Sequence, residues 1–374
     1  MAHAYTPGLR VAARTRVAQT RRLPLKGKVL VEKGAVVTED TVVARTELPG
    51  NVQAVKAASL LGVHQQDLET YMLKKIGDPV QKDETLAVAK SFFGLFKSQV
   101  KSPVTGTLEV VSGVTGQIML REPPIPVEVN AYIAGTVTEV IPEEGVVVET
   151  VGAFIQGIFG VGGESSGVLV PVVKAPDQEL SPELLLPEHR DHIVIGGSRV
   201  HREAVDRARQ LGIRGIVVAG IDDADLRQIL GYDLGVAITG HEALGVTVVV
   251  TEGFGRMTMA TRTFDLLTRL AGKKASINGA TQIRAGVMRP EVIVPTETSL
   301  TRVDDESSAV GGLQIGSPIR VIRVPYFGRI GEVTQLPPEL VTIESEAKVR
   351  VLEVRFQDGA KAILPRSNVE MIET

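Results

Sequence analysis

Three short stretches hold most of the residues able to do chemistry: Gly196, Gly197, Ser198 and Arg199; Thr239, His241 and Glu242; and Thr251 with Glu252. Glycines ahead of a helix leave backbone N–H groups free to hold an anion, and Arg199 adds a cation beside them. An imidazole and two carboxylates are the groups that move protons in hydrolase or transferase chemistry. Asn278, Arg284 and Arg289 form a later polar group. No recognised spacing converts these residues into a reaction. There is no Ser-centred nucleophile elbow and no His-Glu-x-x-His pair. The glycine-rich run from Gly152 to Gly167 lacks a following Lys-Ser/Thr, and Ser165 stands where the third glycine of a dinucleotide fingerprint belongs. That run reads as a tight turn region at a domain edge. His241 and Glu242 are adjacent, so they seldom point the same way, and no metal site is expected. The absence of cysteine removes thiol nucleophiles, disulfides and thiolate-ligated metals. These stretches favour small-ligand or anion binding over catalysis, and the reading leans towards a non-enzymatic protein.

The elements that must position them alternate between strand and helix. Strands are expected at 193–195, 215–220, 236–238, 246–250, 275–277 and 292–294. Helices are expected at 200–211, 224–230 and 257–270, where Val200, Ala204, Ala208 and Leu211, then Ala260, Phe264, Leu267 and Ala271, repeat at helical spacing. This is the pattern of an α/β domain over 192–295 with a mostly parallel sheet. The candidate residues fall at the carboxyl ends of its strands, where open parallel sheets bind ligands. A Pro-rich connector, 171–191, precedes it and a polar linker, 296–315, follows.

Residues 23–170 read as turn-punctuated β structure with a helical insert over 55–74. Gly34 to Ala44 echoes Gly77 to Ala87 at a constant offset, and Gly106 to Val111 echoes Gly135 to Val140. The β-branched runs and their Gly-Asp, Ser-Pro and Thr-Gly turns between Ile76 and Glu122 resemble the biotinyl/lipoyl-like sandwich-barrel hybrid. The resemblance implies two half-motifs packed face to face around one core, and a hairpin tip that presents a modified lysine. Neither Lys90 nor Lys97 has the Met or Asp neighbours of the modified lysine, so no cofactor is expected. The tip carries Phe92, Phe93, Leu95 and Phe96 instead, with three of the nine phenylalanines in the chain. Exposed aromatics in such a cluster predict a contact with a neighbouring domain, another subunit or a protein partner, with membrane dipping as the remaining alternative.

The last stretch, 316–374, begins with Gly316 to Val333, which resembles a KOW motif and implies an SH3-like barrel. Its Asp358-Gly359 pair is a hairpin signal. KOW resemblance implies nucleic-acid binding through Arg320, Arg323, Tyr326, Phe327 and Arg329, although eight basic and eight acidic residues balance over this stretch. The N-terminal residues 1–22 are basic and read as a solvated arm, with an anionic partner as the alternative. With a net charge of −3 and no long apolar run, the chain predicts neither a nucleic-acid field nor a membrane span, and a cytoplasmic location. The combined expectation is a multidomain α+β scaffold or binding protein. It assembles with itself or with protein partners, with a KOW-type nucleic-acid factor and a ligand-binding or catalytic middle domain as the alternatives.

Overall fold

Val11–Arg22, expected to belong to a solvated arm, is a twelve-residue strand. Thr15 and Val17 are buried while Arg14 and Arg16 are exposed, which is the period-two pattern of a half-buried strand. The crowd of arginines obscured that alternation. The computed structural model describes residues 9–91, 96–231, 240, 242–282, 288–297, 313–321, 323, 325–326, 329–342, 348–356 and 358–371. Strand predominates, and the longer helices, Arg202–Leu211, Asp223–Leu230 and Thr261–Arg269, lie in the second half. The chain is a strand-rich α+β protein. No described helix is long and apolar enough to cross a membrane.

One twelve-stranded sheet runs through both halves of the chain. Val11–Arg22 pairs with Gly145–Gln156, which pairs in turn with Glu291–Glu297. Further along, Glu164–Pro171, His192–Ile195, Gly215–Ile221 and Thr247–Phe254 are parallel neighbours. Lys274–Asn278 and Glu291–Glu297 are antiparallel to the strands they join. The boundary expected between 170 and 192 therefore does not interrupt the sheet. The glycine-rich run expected as a turn region supplies strands of the large sheet, Gly145–Gln156 and Glu164–Pro171 in its interior and Phe159–Val161 at its edge. Its glycines permit close backbone approach: a Cβ on Gly152 would lie 2.2 Å from the carbonyl oxygen of Val294.

The echoes in the N-terminal half pair with one another, and they do so twice. Val36–Val37 bonds to Gly135-Thr136, and Pro79–Val80 bonds to Gly106-Thr107 in the same register. The N–H groups of Gly34 and Gly77 each donate across this junction at 2.7 Å, to Val137 and Leu108. Val42–Leu48 then pairs with Ile125–Asn130, and Thr85–Ser91 with Phe96–Lys101. In each hairpin the ladder skips one residue, Val43 or Leu86, and both are fully buried. Two copies of one unit are present, and one is nested in the other. The inner copy, a lobe over residues 52–121, is inserted between Leu48 and Ile125, at the tip of the outer copy's hairpin.

Each copy fills its own core, contrary to the expectation of one shared core. Val37, Val43, Val137, Val146 and Val148 pack in the outer copy; Val80, Leu86, Leu108, Ile118 and Leu120 pack in the lobe. Each of these buried lobe side chains contributes about 2 kcal/mol. The helix expected at 55–74 is a five-residue turn of helix, Ala57–Leu61, and a 3-10 segment, Gln65–Tyr71. Gly62, at a φ of 69°, ends the first in a left-handed cap.

Near the C-terminus, Pro318–Val321, Ile330–Gln335, Leu340–Thr342, Lys348–Phe356, Lys361–Pro365 and Val369–Met371 form a six-stranded sheet. Its core is built on Ile319, Val333, Leu352, Val354 and Phe356. The expected turn is present, with Gly359 at a φ of 84° and the Phe356 N–H bonded to Ala360 O at 2.8 Å.

Candidate functional site

The parallel strands bring Gly196 to Arg199 and Glu252, and with them Asp222, to one edge of the sheet. The anion nest does not form there. The Gly196 N–H donates to Val217 O and the Ser198 N–H donates to Gln178 O, so two of the three N–H groups are committed. A Cβ on Gly197 would lie 2.2 Å from Gln178 O, which shows the glycine's role: it lets the Pro-rich connector pack against the strand end. The following helix begins only at Arg202, after the two-residue strand Arg199–Val200, so its N-terminus is not at the glycines. Ser198 is buried.

Arg199 is the centre of a charge network. Its guanidinium donates to Asp222 at 2.7 Å and to Glu179 at 3.0 Å. His201 lies between Asp225, at 3.0 Å, and Glu179, at 3.7 Å, and Arg256 approaches Glu179 at 3.5 Å. His201, Asp222 and Asp225 offer ligand atoms within 4.8 Å of one another and are the residues able to hold a metal here. Arg199 already supplies Asp222 with a positive partner, so a bound cation would have to displace a guanidinium. Sequence reading missed Glu179, His201, Asp222 and Asp225. The only local signal was Asp222 ahead of a helix, an N-cap position.

Glu252 and Arg320, expected in two different sites, are bonded to each other. Arg320 is 2% exposed and donates to Glu252 at 2.7 Å and to Glu370 at 3.1 Å. Glu370, fully buried, also accepts from Arg289 at 2.6 Å. The second carboxylate oxygen of Glu252 accepts from the Ala260 N–H at 3.1 Å, at the start of helix Thr261–Arg269. Two cations and two carboxylates thus fasten the C-terminal sheet over the carboxyl end of strand Thr247–Phe254. A cavity of about 40 Å³ remains beside Arg320, large enough for a water. Glu252 is a fastening residue, and Arg320 is removed from any surface patch.

The other expected residues are dispersed. Glu242 accepts from the N–H groups of Gly240, at 2.7 Å, and Gly162, at 3.2 Å, joining two loops. Thr239 and His241 lie outside the described residues. Arg329 sits 3.9 Å over the Phe356 ring and donates to Asp358, and Tyr326 stacks on Phe356 at 5.3 Å. Arg323 is exposed, and Phe327 lies outside the described residues.

The remaining candidate is the lobe. Its hairpin, Thr85–Ser91 with Phe96–Lys101, pairs Lys90 with Lys97 on the strands and not in the turn. Phe92, Phe93 and Leu95 lie outside the described residues, as does the side chain of Phe96. On the lobe's flank an open groove of about 1330 Å³ runs past Ile76, Pro79, Thr107 and Arg121 to Pro123 and Pro124. In the outer copy the equivalent flank is covered, because Gly152 and Ala153 pair with Pro295 and Val294. The prolines at the matching positions of the lobe lack the N–H groups that such pairing needs. Among the described residues, no strand pairs with this flank of the lobe. Comparison with family models and with curated proteins finds no match for this chain.

Proposed function

We propose that this chain is a binding protein that assembles with itself or with a protein partner through the tip of the nested lobe. One observation carries the reading. The outer copy uses its hairpin tip to present a whole second copy, and that copy's hairpin leads to Phe92, Phe93, Gly94 and Leu95 at the equivalent tip. The resemblance to the sandwich-barrel hybrid supports it, because the matching turn is the presenting end of that fold. The lysines lie on the strands, and the sequence between the strands reads Phe92, Phe93, Gly94 and Leu95.

The test is light scattering of the Phe93→Ser/Phe96→Ser variant beside the parent chain. Two large apolar contacts at about 1.5 kcal/mol or more each correspond to weakening of roughly a hundredfold or more. The parent is expected to self-associate or to retain a partner on purification, and the variant to lose that state while keeping its melting temperature. An unchanged assembly in the variant would remove the proposal.

A further inference from the structure

Where the outer copy meets the sheet, on the opposite side from the Arg320 network, a second cleft opens with a volume of about 470 Å³. That is within the usual size of small-molecule sites. Its walls are mainly polar, so a small polar ligand suits it better than an apolar one. Glu39 and Asp40 come from the outer copy, Glu164 and Asp191 from the sheet and its connection, and these four carboxylates face only Arg214 and Lys274 in the lining.

The cleft already contains an ammonium group. Lys274 Nζ is seated against Glu39, which is 8% exposed, and lies 3.7 Å from Asp40. Lys274 itself is half-exposed, so its four-carbon stem can carry the ammonium out to solvent. Glu39 cannot follow it. Withdrawal of Lys274 leaves a buried carboxylate that needs a cation. Elsewhere in the cleft, Arg21 donates two hydrogen bonds of 2.6 and 2.7 Å to Glu164, and the exposed pair Arg214 and Asp191 is bonded at 2.9 Å. Tyr132 lines the cleft at a left-handed φ of 69°, its carbonyl accepting from Ser276 Oγ at 2.5 Å. Non-glycine residues take that conformation only where surrounding contacts enforce it.

We propose that this cleft binds a small organic amine, whose ammonium group takes the place of Lys274 between Glu39 and Asp40. A second group behind the cleft couples to it. The Tyr132 hydroxyl donates to Glu291 at 3.2 Å, Gln19 donates to the same carboxylate oxygen at 2.9 Å, and Glu164 and Arg21 are its charged neighbours. Burial is the main cause that pushes the Glu291 carboxyl up to about 7. Ionisation of Glu291 therefore adds negative charge behind the cleft between pH 6 and 8, while an aliphatic amine stays protonated.

The experiment is calorimetric titration of the full chain with spermidine, with magnesium chloride at matched ionic strength as the control. Spermidine is expected to bind the parent, to bind Lys274→Ala at least tenfold more tightly, and to lose its site in Glu39→Gln. Affinity should rise from pH 6 to pH 8 by roughly fivefold, the scale of one unit charge acting through partly hydrated protein, and Glu291→Gln should abolish that rise. The proposal is overturned if magnesium reproduces the heat, if Glu39→Gln binds as the parent does, or if Lys274→Ala gains nothing. Melting temperatures of the variants identify any that fail to fold. In that case methylamine should restore the melting temperature of Lys274→Ala, and absence of rescue overturns the proposal.

Discussion

Arg320→Ala should release the C-terminal sheet. The side chain is 2% exposed and holds two buried carboxylates, one of them Glu370 at 0% exposure. Removing one member of a buried ion network leaves charge without compensation and costs about 3–5 kcal/mol. Glu370 keeps Arg289 at 2.6 Å, so the larger penalty falls on Glu252, whose other partner is a single N–H. The paired change Arg320→Met/Glu252→Gln removes one charge of each sign and retains Arg289 with Glu370. It should lie within about 1 kcal/mol of the parent, because a well-packed neutral replacement often matches a buried pair. Hydrogen exchange of the strands Pro318–Val321 and Val369–Met371 reads the opening directly. The single variant should exchange there roughly a thousandfold faster, the factor for about 4 kcal/mol, and the double variant less than about tenfold faster. Equal acceleration in both variants would refute the electrostatic account and leave lost packing as the cause. No acceleration in either would show that the network does not fasten the sheet.

Three further outcomes follow from the geometry. Glu291 titrates near 7 in the folded chain against an ordinary value of 4.5, so the native state binds more protons between those values. Stability contributed by this group is present below about pH 4.5 and declines as pH rises towards 7, by about 3 kcal/mol in total. Glu291→Gln should flatten that decline, and denaturation of both proteins at pH 5 and pH 8 measures it. Replacing residues 49–124 by a four-residue turn should leave the outer copy folded within a few degrees of the parent's melting temperature, because Leu48 and Ile125 are already paired; loss of cooperative melting would contradict the nesting. Gly106→Ala and Gly135→Ala should each destabilise by about 2 kcal/mol or more, since the added Cβ would meet a carbonyl oxygen at 2.0 and 2.2 Å. The first should disturb lobe amides and the second those of the outer copy, in hydrogen exchange.

The helices of the second half were legible because their apolar spacing is local. Ala204 and Ala208, then Phe264 and Leu267, face the core as their positions imply. The strands expected over 193–195, 215–220 and 246–250 are present for the same reason, as fully buried aliphatic runs. The repeats were visible too, but not their partners, because periodicity does not say which copy of an echo pairs with which. The site was less legible. Glu252 and Arg320 stand 68 residues apart, and Tyr132 and Glu291 stand 159 apart. Glu252 and Arg320 looked like free functional groups because their sequence neighbours contain nothing to bind them, and Tyr132 and Glu291 carry no motif that singles them out. Arg199 stands at the strand edge, and its partners Glu179 and Asp222 lie in the connector and beyond the next strand.

The nested arrangement also explains why a second copy can be tolerated inside the first. A hairpin tip is where inserted chain disturbs a fold least, provided the insert begins and ends side by side. The lobe meets that condition, since Val52 and Arg121 are opposed in its own sheet. The junction is tight: a Cβ on Gly50 would lie 2.0 Å from Glu122 O, and Pro123-Pro124 stiffens the return strand. Those prolines also deny the lobe the strand pairing by which the outer copy joins the large sheet. One unit is therefore used in two ways within one chain. With Gly152-Ala153 it is built into the sheet; with Pro123-Pro124 it is held clear of such pairing. The lobe's apolar side chains Val80, Leu86, Leu108, Ile118 and Leu120 accordingly fill a core of their own, separate from that of the large sheet.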